Sequence, residues 1–405
     1  MELEARVVWD GNTAASQAMR QAQCDVVAAY PITPSTPIVQ NYSQYAADGD
    51  INGGEFVMVE SEHAAMSACV GAAAAGGRVA TATSSQGFAL MVEVLYQASG
   101  MRLPIILNVV NRALASPLNI HGDHSDMYLG LLSGWLNVCA FNPQEVYDMN
   151  LCAFKIGENL GVRLPVMVHQ DGFLTSHTNE VVTPMSDEEA YKFVGSYIVH
   201  NAMLDFKNPI TYGAQTEEEW HFEHKANQNA AIMSADSVIE EVFAEFEKLT
   251  GRKYKFIETY QTEDADEIVV AIGSATGTLK LTVDKLRKEG KKVGLVAIRV
   301  LRPFPKAELA KILKNAKSVA VLDRNAPMGT TGVMFNDVCA VMLDNGISVP
   351  VLNYTYGLGG RDTTIAHLSK VYEDLAECTK AGKRVKPLIQ HINLRGKELS
   401  FFDAK

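Results

Sequence analysis

The sequence predicts an α/β protein: a doubly wound parallel sheet followed by a second, smaller α/β domain. Three observations predict it. Short apolar runs alternate with helix-length segments from Cys24 to His169, the pattern of parallel βαβ units. A second alternation begins at Glu267 and continues to Asn353. Thr33, Glu62, Ser84 to Gln86, Arg112 and Asp171 all fall just past the C-terminal ends of expected strands, which in a parallel sheet share one ligand-binding edge.

Taken in order, Asn12 or Thr13 caps a helix through Gln23, and Cys24 to Ala29 reads as a buried strand. A helix follows from Ser35 or Thr36 to Ala47, then a strand from Glu55 to Glu60. Ser61 caps a helix to about Ala75, which Gly76-Gly77 ends. Arg78 to Thr83 is strand, Ser84 to Gly87 opens a helix through Ser99, and Leu103 to Val110 is strand. The polar loop Asn111 to Asp126, a helix near Leu131, a strand around Val138, a helix from Gln144 to Leu160 and a strand from Leu164 to His169 complete the unit.

Periodicity weakens from Thr175 to about Asp266, a span that holds an amphipathic helix (Asp236 to Leu249) and the acidic, aromatic stretch Thr216 to His224. A connection this long serves a function or extends an interface more often than it is idle. The second domain then reads as strand Glu267 to Ile272, helix Leu279 to Glu289, strand Val293 to Val300, helix Lys306 to Asn315, strand Ser318 to Asp323, helix Val333 to Leu343 and strand Val349 to Asn353. The expected boundaries are 1–235, 236–375 and a tail or packing arm over 376–405, where apolar residues persist to Phe401-Phe402.

Composition narrows the class. Hydrophobic residues at 47% and charged residues at 20% describe a globular chain able to fill two cores. A net charge of −11 without a basic stripe excludes a nucleic-acid surface. No run approaches the length of a membrane span, and Met1 to Arg6 lacks the pattern of a signal peptide, so a cytoplasmic protein is expected. The six cysteines never stand closer than thirteen residues apart, as Cys139 and Cys152 do. That spacing suits core thiols, not a cluster or structural zinc.

Three stretches carry chemistry. Prolines on both sides of Thr33, in Tyr30-Pro31-Ile32-Thr33-Pro34-Ser35-Thr36-Pro37, hold its hydroxyl on a stiff, non-helical loop. Glu62 opens an alanine-rich helix among Val57, Met58, Val59, Ala64, Ala65 and Met66. Apolar neighbours disfavour its charged form while the helix N-terminus favours it. Such a carboxylate serves as general acid or base, metal ligand, partner to a ligand nitrogen, or simply as a helix-terminal charge. His121-Gly122-Asp123-His124-Ser125-Asp126 offers metal-ligand types without helical spacing; its carboxylates equally suit capping of the next helix or pairing with Arg112. Ser61, Ser84 and Ser85 are accounted for by capping alone. The glycine turns Gly273 to Gly277 and Gly357 to Gly360 lack a G-x-G-x-x-G fingerprint and read as turn geometry.

The ordered set of motifs resembles the alpha subunit of pyruvate:ferredoxin oxidoreductases. It comprises Tyr30-Pro31-Ile32-Thr33-Pro34-Ser35, Glu60-Ser61-Glu62-His63-Ala64, Thr83-Ser84-Ser85-Gln86-Gly87, Asn111-Arg112-Ala113, Asn119 to Asp126 and Asp171 to His177. In the second domain Val300-Leu301-Arg302-Pro303-Phe304-Pro305 and Gly357 to Asp362 continue it, so the likeness covers nearly the whole chain. The resemblance implies a pyrimidine-type thiamine-diphosphate-binding domain followed by a domain like the C-terminal domain of transketolases. It implies oxidative decarboxylation of pyruvate with coenzyme A to acetyl-CoA and CO2, electrons passing to ferredoxin, and the reverse reaction as a pyruvate synthase.

By the same resemblance, Glu62 matches the glutamate that hydrogen-bonds N1′ of the cofactor's pyrimidine and favours its imino tautomer. Thr33 and Arg112 match the substrate-binding pair, Arg112 engaging the carboxylate with its planar fork. Ser85 and Gln86 fall on the cofactor side. The Gly-Asp-Gly…Asn diphosphate–magnesium motif and the cluster cysteines are absent from this chain. Mg2+ and 4Fe-4S clusters are therefore expected in a beta subunit and in gamma and ferredoxin-like delta subunits or their fusions, and the chain alone should be inactive. Ala113, Ala115 and Ser116 suit a compact substrate. The rival readings are an oxidoreductase of 2-oxoglutarate or a branched-chain 2-oxoacid, and a non-catalytic scaffold subunit; a free-standing decarboxylase is disfavoured because half the cofactor site is missing.

Overall fold

A computed structural model describes residues 6–396. Among the described residues two compact units emerge: 6–256 with 299–305, and 257–298 with 306–396. The first unit opens with β1 (Val7–Trp9), α1 (Gly11–Gln21), β2 (Val26–Ala29), α2 (Thr36–Asp48), β3 (Glu55–Met58), α3 (Glu62–Ala75), β4 (Val79–Thr83), α4 (Ser85–Gly100) and β5 (Ile106–Asn111). After a 3-10 turn (Met127–Gly130) come β6 (Leu136–Cys139), α5 (Pro143–Glu158), β7 (Val166–Asp171), β8 (Glu180–Val182), α6 (Asp187–Val194) and α7 (Glu218–Thr250).

The second unit holds β9 (Ile257–Tyr260), β10 (Glu267–Ala271), α8 (Ala275–Lys288) and β11 (Val293–Ile298). The chain then lends β12 (Val300–Arg302) to the first unit before α9 (Lys306–Leu313), β13 (Ser318–Asp323), α10 (Val333–Asp344), β14 (Val351–Thr355), α11 (Ile365–Ala381) and β15 (Ile389–His391).

The first sheet runs β12-β6-β7-β5-β4-β2-β3, parallel throughout except for β12. From β2 the chain winds outward to β3, then turns back past β2 to β4. Right-handed crossovers in opposite directions put α2 and α3 on opposite faces. Accordingly α1 packs on α2 and α5, while α3 packs on α4. The reversal opens a crevice at the C-terminal ends of β2 and β4, where open sheets bind ligands. β4, β5 and β7 are buried along their whole length, with Val79, Leu107, Val109 and Met167 in one core beneath α3 and α4.

Helix ends obey local chemistry. Ser61 Oγ accepts from the Ala64 amide at 3.2 Å to cap α3, and Gly76 closes that helix at φ +107°, a backbone angle that favours glycine. The expected strand from Glu55 to Glu60 stops at Met58 and forms an exposed edge of the sheet, with Met58 55% exposed. The helix near Leu131 is a single 3-10 turn, Met127–Gly130.

The boundary expected at 235/236 lies instead at 256/257. The amphipathic segment from Asp236 is the second half of α7, a 33-residue helix that packs on α5 and buries Ile239, Val242, Phe243 and Phe246. Phe246 meets Phe193 at 5.1 Å, and Lys155 Nζ bonds Glu245 Oε1 at 2.7 Å. The expected strand from Val293 to Val300 is broken at Arg299. There the guanidinium forks onto Glu145 of α5 (Nη2–Oε1 3.0 Å, Nε–Oε2 3.3 Å), and the chain changes sheet.

The second sheet runs β15-β14-β13-β10-β11-β9, with β9 antiparallel at one edge. The tail expected from 376 is not a free arm up to His391: α11 continues to Ala381 and β15 pairs in parallel with β14. Phe401-Phe402 lies outside the described residues. β1 and β8, which the periodicity did not reveal, pair as a separate antiparallel ribbon. No helix among the described residues is long and apolar enough to cross a membrane.

Candidate active site

Four of the expected segments meet at the C-terminal edge of the first sheet. Arg112, one residue beyond β5, is 7% exposed. Its Nη1 donates to the Thr33 carbonyl at 2.9 Å, and its Nε donates to the Asn119 carbonyl at 3.1 Å. Arg112 Nη2 meets no acceptor among the described residues. Burial lowers the guanidinium from its usual value, offset in part by Asp126, yet an arginine stays charged there. Thr33 itself is exposed on the loop between β2 and α2.

Asp126 joins these strand ends. Its Oδ2 accepts the amides of Arg112 (2.9 Å) and Ser85 (2.8 Å); its Oδ1 accepts Asn111 Nδ2 (2.9 Å) and the Met127 amide (2.7 Å). Of the sequence alternatives for this carboxylate, capping is realised, and its link to Arg112 goes to the backbone and not the guanidinium. Burial pushes the Asp126 carboxyl up to about 7, against the pull of its donors. Ser85, the first residue of α4, stands at φ +50°, and its Oγ lies 2.6 Å from both the Ala113 carbonyl and Gln86 Oε1, two acceptors that share its single proton. Gln86 is exposed beside it.

Glu62 begins α3 and is 6% exposed. Among the described residues, no group donates a hydrogen bond to its carboxylate. The neighbouring helix is shaped around it: a Cβ at Gly87 of α4 would stand 2.4 Å from Glu62 Oε1 and 2.7 Å from Thr83 Oγ1. The hydroxyls of Thr83 and Ser84 at this point are buried without a partner. A desolvated carboxylate with an unsatisfied hydroxyl at its side is a costly arrangement unless a ligand completes it.

The motif segments Asn119 to Asp126 and Asp171 to His177 pack against each other at the end of β7. His124 Nε2 pairs with Asp171 Oδ1 at 2.5 Å, both buried. The Phe173 ring lies 4.9 Å from His121 and 4.7 Å from His177. A Cβ at Gly172 would meet the Asn111 carbonyl at 2.4 Å and Pro34 Cγ at 3.0 Å, so only glycine lets these backbones approach. His169 is buried between Asn137 Oδ1 on Nε2 (2.9 Å) and Asn111 Nδ2 on Nδ1 (3.4 Å), and burial, with His124 next, lowers it to about 3. No group of three or more His, Cys, Asp or Glu among the described residues is disposed to hold a metal ion. Sequence reading did not single out Gly87 or the bridging role of Asp126, although both lie in quoted motifs.

The family model for pyruvate flavodoxin/ferredoxin oxidoreductase, thiamine diphosphate-binding, matches residues 17–244. The chain belongs to this family. The model for pyruvate:ferredoxin oxidoreductase core domain II matches residues 265–368. Among similar proteins, the pyruvate synthase subunit PorA of Thermotoga maritima is 47% identical over 91% of this chain and 94% of its own length. That of Pyrococcus furiosus is 44% identical over 96% and 98%. The ketoisovalerate oxidoreductase subunit VorA of Pyrococcus horikoshii is 42% identical over 94% and 96%.

Solved structures agree on the fold of the family. A 2-oxoglutarate:ferredoxin oxidoreductase from Magnetococcus marinus superposes with a TM-score of 0.70 at 20% identity, over 92% of this chain and 66% of that one. A split-gene transketolase gives 0.52 at 11% identity, over 92% and 98%.

Proposed function

We propose that this chain is the alpha subunit of a pyruvate:ferredoxin oxidoreductase, or pyruvate synthase, and supplies the pyrimidine side of a thiamine diphosphate site that a partner chain completes. The observation that carries this reading is the Glu62 carboxylate, almost wholly buried, packed directly on Gly87 and without a hydrogen-bond donor among the described residues. That arrangement fits an aminopyrimidine, whose ring nitrogen gives a carboxyl group a partner at a fixed place.

Glu62 holds a proton in a hydrogen bond with the pyrimidine nitrogen and so sets which tautomer is present. Thiamine diphosphate, when bound, supplies the carbon nucleophile for the 2-oxo carbon and takes up the electrons released with CO2. Arg112 receives the substrate carboxylate on its open Nη2 side, because its other bonds to Thr33 and Asn119 fix the plane of the guanidinium. The Thr33 hydroxyl, exposed on its proline-bounded loop, donates to the carboxylate or keto oxygen. Ser85 and Gln86 line the cofactor side at the start of α4.

The diphosphate with its Mg2+ and the 4Fe-4S clusters belong to beta, gamma and ferredoxin-like delta chains in this reading, with coenzyme A as co-substrate and ferredoxin as electron acceptor. The cytoplasm, where six free thiols stay reduced, is the compartment it assigns. The relatives named pyruvate synthase subunits support pyruvate as substrate. The similarity to a ketoisovalerate oxidoreductase subunit supports a second reading, a branched-chain 2-oxoacid.

The deciding experiment assembles the chain with its partner subunits and follows coenzyme A-dependent reduction of ferredoxin with pyruvate, 2-oxoisovalerate and 2-oxoglutarate. Highest kcat/KM on pyruvate is expected. Preference for the branched acid moves the assignment to the second reading, and turnover by the isolated chain removes the shared-site proposal.

A further inference from the structure

The acidic, aromatic stretch from Thr216 to His224 plays no part in the crevice, and the structure turns it into the beginning of α7. The two halves of this helix differ. Its second half buries Ala231, Ala235, Ile239, Val242, Phe243 and Phe246 along one stripe. Over residues 217–230 every residue is exposed except the half-buried Gln228. Trp220 is 64% and Phe222 77% exposed. What ties this half to the rest of the unit is polar: Gln228 Nε2 to Ser99 Oγ at 2.8 Å and Arg102 Nη1 to Asn227 Oδ1 at 3.5 Å. A cleft of about 500 Å³, lined by Tyr96, Arg102, Tyr212, His221 and Lys225, separates it from the C-terminal end of α4.

A helical stretch of this length gains little from its own hydrogen bonds in water, and two large aromatics on it lose the benefit of burial. We propose that residues 217–230 form a docking helix for a different chain of the assembled complex, one offering an apolar cleft rimmed with lysine or arginine. This rests on the reading that the chain works as one subunit among several.

Charge and geometry identify the occupant. Glu217, Glu218, Glu219 and Glu223 surround the aromatics, with no lysine or arginine between residues 208 and 224. A two-fold contact with a second copy would set these four glutamates against themselves, in a chain already at −11. Trp220 and Phe222 stand two positions apart, so they face different sides of the helix. The partner therefore takes the helix from two sides instead of along a single stripe.

The test uses the full chain and the complex assembled with its partner subunits. Hydrogen–deuterium exchange over 217–230 is expected to be fast in the isolated chain and slowed at least about 100-fold in the complex. The W220A/F222A variant should raise the dissociation constant for assembly by at least about 30-fold, with the thermal midpoint of the isolated chain unchanged. The E218K/E219K variant should weaken assembly and flatten its salt dependence. Unprotected amides at 217–230 in an active complex, or assembly of W220A/F222A at wild-type affinity, overturn the proposal. Self-association of the isolated chain that protects this helix makes a second copy the occupant and overturns it as well. A complex that protects the helix yet turns over no 2-oxoacid counts against the functional reading and leaves the docking helix standing.

Discussion

The Arg112 guanidinium donates to the Thr33 carbonyl at 2.9 Å, tying the end of β5 to the loop after β2. With Nε on the Asn119 carbonyl, two of its nitrogens are fixed by backbone oxygens, and the third meets no acceptor among the described residues. Lysine keeps the charge but cannot reproduce that fork. Arg112→Lys is expected to raise KM for the 2-oxoacid about 10- to 100-fold in the assembled complex. Steady-state kinetics with pyruvate check it; an unchanged KM removes Arg112 from substrate binding.

Glu62→Gln keeps the shape of the side chain and removes its ability to exchange a proton. Turnover should fall by about 10²- to 10⁴-fold, the usual worth of a placed acid or base. Assembly and thermal midpoint should stay at wild-type values. Wild-type turnover would point to a scaffold role instead.

Gly87→Ala places a methyl group 2.4 Å from Glu62 Oε1 in the present geometry, so the carboxylate must move. The cost in stability should be about 1–3 kcal/mol, as for other overpacked sites. The informative readout is the thiamine diphosphate concentration giving half-maximal activity, which should rise. Ser84→Ala, which deletes an unpartnered buried hydroxyl, should leave stability unchanged or slightly higher.

Asp126→Asn substitutes an NH2 donor for one acceptor oxygen, setting donor against donor at two of four N–H groups. We expect a loss of about 1–3 kcal/mol in stability and a higher KM for the 2-oxoacid, because the Arg112 amide loses its anchor. Urea unfolding of the isolated chain and kinetics of the complex measure the two effects separately.

His169 gives a pH prediction. Burial lowers it to about 3 from an ordinary value of 6.5, so between those values the unfolded chain binds the extra proton. The stability it contributes is complete above pH 6.5 and is lost as pH falls towards 3. His169→Gln should reduce the acid slope of unfolding free energy by up to about 1.4 kcal/mol per pH unit in that window. Denaturant midpoints from pH 4 to 7 report it. An unchanged slope means that His169 does not titrate on unfolding.

Much of this arrangement is legible in the sequence because it is local. Proline punctuation around Thr33, the Ser61 cap and the Gly76 stop are decided within a few residues, and strand–helix alternation then brings distant strand ends to one edge. What the sequence hides is contact between segments. Periodicity cannot tell that Val293 to Val300 divides between two sheets, because both halves are equally apolar; Arg299 at the break reveals itself only once Glu145 is known to face it. Nor does hydropathy separate an edge strand from a central one, so the exposed edge position of β3 is not legible in its apolar residues. The two halves of α7 share a helical pattern, and only tertiary contact distinguishes the packed half from the exposed one.

Because residues 299–305 complete the first sheet while their flanks build the second unit, neither unit is a continuous piece of gene. During synthesis, β6 keeps a bare edge until Arg302 has left the ribosome, some 160 residues after β6 itself. A chain cut after Phe256 would carry that edge permanently, and its fate should be to pair with its neighbours and precipitate.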